Sequence, residues 1–295
     1  MLALGETLAL LSAFFWGNSG VVLKSVPQKY RLTFIFLESI MSGIIIISLL
    51  FILDQWKDFS DFTVSTTILA IIAAVINVSG SVFYIFAIKH VKVGMAFVVI
   101  NSLFPLFSII GGVIFLNQIL SLPIYAGGII IITGIAVITL NGKGRLSFSE
   151  PQSSLKIGLF FCTITPLCWG SGALMMDKLL EEQGVLPLIL IRAATIFVFF
   201  AILLLIWKRN DFYASFTGDS QRTKKIIFAS ILTTFAMLGW FTSLSLSDAA
   251  LTIILGSSAP IFAVISARIF LKESFSKRSI FGILICISGV LTVII

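Results

Sequence analysis

The fold is decided by one stretch of sequence, 101-NSLFPLFSIIGGVIFL-116, and by its near copy, 256-GSSAPIFAVISARIFL-271. With the second half of the chain shifted by 155 residues onto positions 101–140, 12 of the 40 aligned residues are identical, including Pro105 with Pro260. Both stretches are almost entirely apolar. The sequence therefore predicts two related halves, each built around long apolar segments.

The composition of the whole chain predicts a membrane protein. Of 295 residues, 58% are hydrophobic and only 11% are charged, and the mean hydropathy is +1.13. A soluble domain would carry about a quarter charged residues. Soluble enzymes, nucleic-acid-binding proteins and disulfide-stabilised secreted domains are therefore excluded. The net charge of +7 is best explained by basic loops at a membrane surface.

Ten apolar segments have the length needed to cross a bilayer, which is about 20 residues for a helix. They are residues 6–25, 33–53, 66–88, 93–116, 122–140, 156–178, 185–207, 225–247, 249–271 and 278–295. Backbone groups in lipid must be hydrogen-bonded within their own segment, so each span is predicted to be a helix. The expected fold is an all-α integral membrane protein with ten transmembrane helices.

A polar connector near the middle of the chain separates five spans from five. It predicts a first repeat over 1–142, a connecting loop over 143–154 and a second repeat over 155–295. Because each half holds an odd number of spans, the second repeat must enter the membrane from the opposite side. Inverted repeats of this kind are typical of secondary transporters, whose substrate site lies between the halves near the midplane.

Three motifs occur in the same order in both halves: a Trp-Gly pair with a polar residue after it, a proline within a span, and two glycines seven residues apart. They are Trp16-Gly17-Asn18 and Trp169-Gly170-Ser171, Pro105 and Pro260, and Gly127 and Gly134 with Gly282 and Gly289. In this combination the chain resembles, over nearly its whole length, the EamA-type exporters of the drug/metabolite transporter superfamily. The resemblance implies export of small metabolites such as amino acids.

The chain departs from the family pattern at two places. The acidic residue after the Phe-Leu turn is Glu273 in the second half but Gln118 in the first. The arginine early in the second helix of each repeat is Arg192 in the second half, whereas the first half has Glu38.

Basic residues predict the orientation of the chain in the plasma membrane. The connections that follow odd-numbered spans hold 16 of the 20 Lys and Arg residues, and the other connections hold two, Lys57 and Lys178. The positive-inside rule then places the odd connections in the cytoplasm and both termini outside. The resemblance implies the opposite orientation, and we expect the charge count to prevail.

Glu38 and Arg192 are the two charged residues whose position inside an apolar span most requires an explanation. Each lies six or seven residues into a span, roughly 10 Å below the interface. An ionisable residue inside a membrane is expensive and is therefore a functional candidate. We expect both to face a central cavity and to belong to one electrostatic network; the alternative is a structural ion pair. If Glu38 is not neutralised by Arg192, it is also the candidate for coupling transport to protons.

Eleven polar and aromatic residues within the spans are candidates to line a substrate cavity. They are Trp16, Asn18, Asn77, Ser81, Tyr84, Asn101, Trp169, Ser171, Trp240, Ser257 and Ser258. Asn77, Ser81 and Tyr84 share one helical face. Trp and Tyr also occur in interfacial belts, and lone Ser or Asn residues also pack between helices, so both alternatives remain open.

Three prolines within spans, Pro105, Pro166 and Pro260, are candidates for helix kinks, because proline removes a helical hydrogen bond. Asn101 and Ser257-Ser258 lie just before two of them. A kink beside polar groups suits a moving or substrate-facing segment. A fixed structural bend is the alternative.

The sequence predicts a transporter that works by alternating access, with no catalytic residues, no metal site and no cofactor. The one histidine, His90, has no neighbouring Cys or His, and the chain lacks a phosphate-binding loop. The expected partners are a small-molecule substrate, the lipid bilayer and, if transport is proton-coupled, protons, without nucleic acid. The sequence leaves the oligomeric state open and is compatible with a monomer. The alternatives are a membrane channel or assembly subunit, or an intramembrane lipid-modifying enzyme.

Overall fold

The structure is a computed structural model that describes residues 4–90, 93–115, 119, 121–139, 152–206, 209–217, 219–270 and 277–294. Over these residues the chain is helical and contains no strand. Most of the predicted connecting loop 143–154 lies outside the described residues, as do Gln118 and Glu273.

Among the described residues, the first half contains five α-helices, α1 (Leu4–Lys24), α2 (Arg31–Ile52), α3 (Val64–His90), α4 (Val93–Phe115) and α5 (Leu122–Thr139). The described part of the second half contains seven, α6 (Gln152–Leu180), α7 (Val185–Ile206), α8 (Arg209–Phe216), α9 (Ser220–Leu246), α10 (Ala249–Gly256), α11 (Ala259–Phe270) and α12 (Lys277–Ile294). Short 3-10 helices occupy Gln28–Tyr30 and Gln55–Asp61.

Six of the described helices are long and apolar enough to cross a membrane: α1, α2, α3, α6, α7 and α9. Four shorter apolar segments lie at Val99–Ile114, Leu122–Gly134, Leu251–Ala263 and Ile280–Gly289. These four coincide with the remaining predicted spans. The large apolar side chains on the outer faces of the helices, such as Ile44 and Phe228, are exposed, as expected for surfaces that contact lipid.

Helix packing relates the two halves to each other. Helix α1 packs along α9 and α3 packs along α6, while α2 pairs with α7 and α5 pairs with α12. In the order of the repeats, α1 corresponds to α6 and α3 corresponds to α9. The α1–α9 contact is therefore equivalent to the α6–α3 contact. Helices in equivalent positions also contact each other. Both observations are those expected of a pseudo-twofold axis between the halves.

The ninth predicted span is not one continuous helix, which corrects the prediction for 249–271. It is divided into α10 and α11 by a turn at Ser257 and Ser258. Pro260 is the second residue of α11, so it begins a helix instead of kinking one. A proline ring clashes with the carbonyl four residues earlier, here that of Gly256, whereas the first turn of a helix accepts proline well. Pro105 and Pro166 do lie inside helices, in α4 and α6.

The predicted polar connector 208–224 contains a helix of its own, α8. Thr33 Oγ1 on α2 and Ser215 Oγ on α8 share a buried hydrogen bond of 2.8 Å. Arg222 Nη2 donates to the carbonyl of Thr217 at 2.6 Å, and the guanidinium lies 4.2 Å from the ring centre of Tyr30. These contacts hold α8 and the segment after it against the α1–α2 connection of the other repeat.

The equivalent connector of the first half, between α2 and α3, packs at the other end of the molecule. Its 3-10 helix carries an aromatic run in which Trp56, Phe59 and Phe62 follow one another at centroid distances of 5.8 and 5.9 Å. The helix packs on α7 near Gly184, where an added Cβ would lie 2.8 Å from Asp58 Oδ2. Each repeat thus covers the first helical hairpin of its partner.

Two apolar clusters lie beneath these connectors. One contains Tyr30, Phe34 and Phe200 and extends to α8. The other contains Leu50 and Leu186 and extends to the 3-10 helix of the first half. Trp169 packs against both clusters, so the region around this residue is the centre of the molecule.

Candidate functional site

A cavity of about 110 Å³ lies between the two halves, around Trp169. Its walls come from α1, α2, α3 and α4 of the first half and from α6, α7, α9 and α10 of the second. Most of the lining atoms belong to apolar or aromatic side chains. A concave site of this kind, with a few polar groups in an apolar wall, is typical of small-molecule binding.

The structure places nine of the predicted site residues on the wall of this cavity. They are Trp16, Glu38, Asn77, Ser81, Tyr84, Asn101, Trp169, Arg192 and Trp240. They come from seven helices, four in the first half and three in the second. The helical face predicted for Asn77, Ser81 and Tyr84 is the face that α3 turns toward the cavity.

The other four predicted residues do not line the cavity. Asn18 joins α1 to α11, because its Oδ1 accepts a 2.6 Å hydrogen bond from Ser266 Oγ. Ser171 is exposed on the outside of α6. Ser257 Oγ donates to the carbonyl of Ile253 at 2.8 Å, and Ser258 is buried at the break between α10 and α11. Asn18 and Ser257 thus use their polar groups for hydrogen bonds between or within helices, which the residue type alone does not distinguish from cavity lining.

Glu38 and Arg192 form a buried ion pair in the cavity wall. Arg192 Nη1 donates to Glu38 Oε1 at 3.1 Å, and the side chains are only 6% and 3% exposed. The two residues are 154 positions apart, which is close to the 153 positions that separate Trp16 from Trp169. They therefore occupy equivalent places in the two repeats. Equivalent residues that touch must lie at the pseudo-twofold axis.

The ion pair leaves hydrogen-bonding capacity unused. Arg192 Nε is buried and has no hydrogen-bond partner among the described residues. A buried donor without a partner costs about 1–3 kcal/mol. Taking two charges out of water is itself expensive, so a buried pair is weak support for stability alone. The unpaired donor in the cavity wall is therefore a candidate group for recognising a solute.

Aromatic rings form a continuous wall along the cavity. The centroids of Trp16 and Trp169 are 5.8 Å apart, and both rings lie within 6.3 Å of Tyr84. Phe104 continues the wall from Trp169 to Trp240, at distances of 6.3 and 5.9 Å. Because Trp16 and Trp169 are equivalent residues in contact, the axis also passes between them.

Glycines allow α3 and α6 to approach closely enough to position Trp169. A Cβ at Gly80 would lie 2.6 Å from Cδ1 of Trp169, and one at Gly172 would lie 3.0 Å from Cβ of Asn77. At this separation the indole Nε1 donates to Ser81 Oγ at 3.3 Å. The small residues therefore set the depth of the indole ring in the cavity.

Sequence reasoning missed two polar residues of the lining, Ser12 and Thr233. Ser12 precedes Trp16 by one helical turn, and Thr233 precedes Trp240 by two turns. Extending each helical face from its tryptophan would have found both. Ser12 Oγ donates to the carbonyl of Ala236 at 2.7 Å, whereas Thr233 Oγ1 is buried without a partner among the described residues.

Within the described part of the chain, no group of three His, Cys, Asp or Glu residues could hold a metal ion. Cys162 and Cys168 on α6 are free thiols, the first of them buried. The cavity wall offers groups that can bind a small molecule without reacting with it: one ion pair, several amide, hydroxyl and indole groups, and aromatic faces.

Comparisons with known proteins show the family and the fold of the chain. The model of the EamA-like transporter family matches residues 3–140 and again residues 156–295. An uncharacterized transporter of Archaeoglobus fulgidus is 22% identical over 296 residues, covering 98% of this chain and 97% of its own. A protein of known crystal structure, 13% identical, has the same fold, with a TM-score of 0.73 over 98% of this chain and 95% of its own. The chain belongs to the EamA-like transporter family and is a multi-pass membrane transporter, not an enzyme.

Proposed function

We propose that the protein is a secondary active transporter that exports small amphiphilic solutes, such as amino acids, by alternating access. The observation that carries the proposal is the position of the cavity, whose walls come from both repeats and include the place where the equivalent residues Glu38 and Arg192 meet. A site in this position changes its exposure when one repeat rocks against the other. The cavity-lining residues are accordingly proposed as the substrate site.

The size and chemistry of the cavity favour a small solute. Its volume of about 110 Å³ is well below the several hundred Å³ of pockets for drug-sized molecules. The lining is mostly apolar, and its charged groups are one glutamate and one arginine. A polyanion such as a nucleotide sugar would meet too few cationic groups there, whereas a small amphiphile would find both an apolar wall and polar partners.

The proposed architecture is ten membrane spans in two inverted repeats, 1–142 and 155–295, in the plasma membrane. The six long helices and four shorter apolar segments support this count when α10 and α11 are taken together as the ninth span. Helix α8 and the 3-10 helix Gln55–Asp61 are then connectors at opposite faces. The basic residues support a cytoplasmic location for α8 and an extracytoplasmic location for both termini.

In the structure Arg192 neutralises Glu38, so the condition under which Glu38 was expected to couple transport to protons is not met while the two side chains are in contact. A proton gradient, with Glu38 as the group that exchanges the proton, is therefore proposed as the energy source only through a state of the transport cycle in which this ion pair opens. Among the lining residues of the cavity Glu38 is the one carboxylate. Its ion pair with Arg192 must loosen for the proton to bind. The coupling step is therefore tied to the arrangement of the two repeats at the axis.

A channel is the second candidate function, and the packing favours the carrier over it. An apolar cluster lies on each side of the cavity, toward α8 and toward the 3-10 helix of the first half. Continuous conduction would need a polar path through both clusters. A carrier needs only one of them to open at a time.

The test is a panel of metabolites screened for ligand-induced thermal stabilisation of the purified protein, because binding shifts stability by mass action. Compounds that bind are then tested for saturable counterflow in liposomes, which a carrier shows and a channel does not. Trp169→Phe should weaken both readouts, since it removes the indole donor to Ser81. The matched control is Trp56→Phe in the connector. Binding without counterflow, or equal loss in both variants, would contradict the proposal.

A further inference from the structure

The cavity carries two opposite charges side by side and no net charge. Among its lining residues, Glu38 is the one acid and Arg192 is the one base, and their side chains are 3.1 Å apart. We infer that this pair recognises both ends of a zwitterionic solute, with Arg192 binding a carboxylate and Glu38 binding an ammonium group. The inference rests on the proposed function and narrows the substrate class from amphiphiles in general to zwitterions with an apolar body.

Arg192 has donors to spare for a carboxylate. A guanidinium offers five N–H groups, and the structure gives this one a single hydrogen bond among the described residues, from Nη1 to Glu38. Its Nε is buried without a partner. A carboxylate that accepts from Nε and Nη2 would form the paired, parallel hydrogen bonds that arginine favours. Binding would give a partner to a buried donor that has none among the described residues.

Glu38 has acceptor capacity to spare for an ammonium group. Its Oε1 accepts from Arg192, and its second oxygen has no hydrogen bond to a described residue. An ionised carboxylate has about four acceptor sites, and an ammonium group is a compact cation with three donors. The two charged ends of a zwitterion can therefore join the existing pair and complete a four-membered network of alternating charge.

The same geometry disfavours ligands with one charge. A cation that approached Glu38 would also approach Arg192, which is within hydrogen-bonding distance of that carboxylate. An anion at Arg192 would meet the repulsion of Glu38 in the same way. In a buried site these interactions are screened much less than in water, so the mismatch is costly.

The rest of the solute faces the aromatic wall. Trp16, Trp169 and Phe104 form contiguous rings from the first repeat to the second. They offer an apolar surface and only the indole N–H groups as donors, one of which is already bonded to Ser81. An apolar or aromatic side chain fits this wall, and a second charged side chain does not.

The test uses ligands that share one body and differ only in charge: L-phenylalanine, phenethylamine and 3-phenylpropionate. A second series with a smaller body consists of L-leucine, 3-methylbutylamine and 4-methylpentanoate. Dissociation constants are measured on the purified full-length protein from thermal shifts at several concentrations. In at least one series the zwitterion should bind about tenfold more tightly than either singly charged analogue.

Substitutions of Glu38 and Arg192 should then change which charge form of the ligand binds most tightly. Glu38→Gln leaves the arginine alone and should favour the anion, whereas Arg192→Gln leaves the glutamate alone and should favour the cation. Because either single variant risks poor folding, the double variant Glu38→Gln/Arg192→Gln is included, and it should lose the preference for the zwitterion. The matched control, Asp54→Asn/Lys57→Gln, removes an exposed ion pair outside the cavity and should retain it.

Two results would overturn the inference. One is equal binding of the three charge forms in both series, and the other is an unchanged zwitterion preference in the double variant. If neither zwitterion binds but another compound of the metabolite panel binds and exchanges in liposomes, the inference fails and the proposed function stands. If no compound of either set binds, the proposed function fails with it.

Discussion

At the scale of single residues, the buried pair of Glu38 and Arg192 is the most consequential feature of the molecule. Two charges with exposures of 3% and 6% would be expensive apart, and each makes the other tolerable. Their contact also fixes where equivalent positions of the two repeats meet. One carboxylate and one guanidinium thus define both the axis of the fold and the polarity of the cavity.

Removing one member of this pair should cost more than removing both. Arg192→Gln leaves an uncompensated buried carboxylate, and we expect a loss of about 3–5 kcal/mol in the free energy of unfolding. Glu38→Gln/Arg192→Gln should lose less. Denaturant titration in detergent measures both, with Lys57→Gln as the exposed control, expected to change by less than about 1 kcal/mol. A double variant less stable than the single one would contradict this account of the pair.

Proton coupling makes a separate residue-scale prediction. Glu38→Gln cannot release a proton at this position, so uptake driven by a pH gradient into vesicles should be abolished. Exchange of substrate down its own gradient should persist wherever the variant still binds it. Asp54→Asn, which alters an exposed carboxylate, is the control. Gradient-driven uptake that survives Glu38→Gln would show that another group carries the proton.

At the scale of elements, close helix contacts through small residues determine how the cavity is built. Gly17 on α1 shows this, because a Cβ there would lie 2.5 Å from the backbone oxygen of Ala259 and 3.0 Å from the backbone nitrogen of Ala263. Backbone atoms cannot turn aside as a flexible side chain can. Helices α1 and α11 can therefore meet at this distance only if the residue is glycine.

Gly17→Ala should accordingly push α11 away from α1 and destabilise the protein by about 1–3 kcal/mol. Transport should fall as well, since Trp16 is the neighbouring residue on α1. Gly43→Ala is the matched control, because a Cβ at Gly43 meets nothing within 4 Å. Melting temperature and counterflow rate give the two readouts. Equal behaviour of the two variants would show that the α1–α11 contact is less tight than the structure has it.

Helix α8 allows a second prediction at this scale. Arg222 bonds carbonyl groups at its C-terminal end and lies over Tyr30, which ties the helix to the opposite repeat. Arg222→Ala should remove hydrogen bonds of about 1.5–3 kcal/mol and make residues 209–217 more accessible to protease. Lys225→Ala, an exposed neighbour on α9, should leave the cleavage rate unchanged. If residues 209–217 stay protected from protease in Arg222→Ala, the apolar contacts of α8 are enough to hold the helix in place.

At the scale of the whole molecule, the distribution of charge is the basis of the proposed orientation. The face that carries α8 and the α1–α2 connection holds most of the basic residues, and the opposite face carries Asp54, Asp58 and Asp61. Positive charge resists translocation across the membrane, so the basic face should remain in the cytoplasm. This orientation also decides which end of the cavity opens to the cell interior.

The orientation predicts the behaviour of reporters at the C-terminus. Alkaline phosphatase, which is active only outside the cytoplasm, should be active after Ile295, and a green fluorescent protein fused there should remain dark. Fusions truncated after Leu180 place the reporter on the same face and should behave alike, whereas fusions after Ile206 should give the reverse pattern. Fluorescence at the C-terminus would reverse the assignment.

How much was predictable differs between the fold and the site. Apolar segments of the right length and their repetition predicted an all-helical membrane protein, because hydrocarbon forces each crossing segment to satisfy its own backbone. The break at Ser257 and Ser258 was not predicted, although Pro260 marked the place. A proline inside an apolar run is compatible with either a kink or a new helix start, and packing against α1 and α4 decides between them.

The amino-acid sequence alone determined that the chain repeats itself, that Glu38 and Arg192 have equivalent positions in the two repeats, and that both lie within long apolar segments. Only the tertiary structure decided that they touch, that Trp16 meets Trp169, and that Asn18 and Ser171 lie elsewhere. The reason is physical. Hydropathy and periodicity act within one segment, whereas contacts across a pseudo-twofold axis depend on how closely helices approach, which small residues at distant positions jointly set.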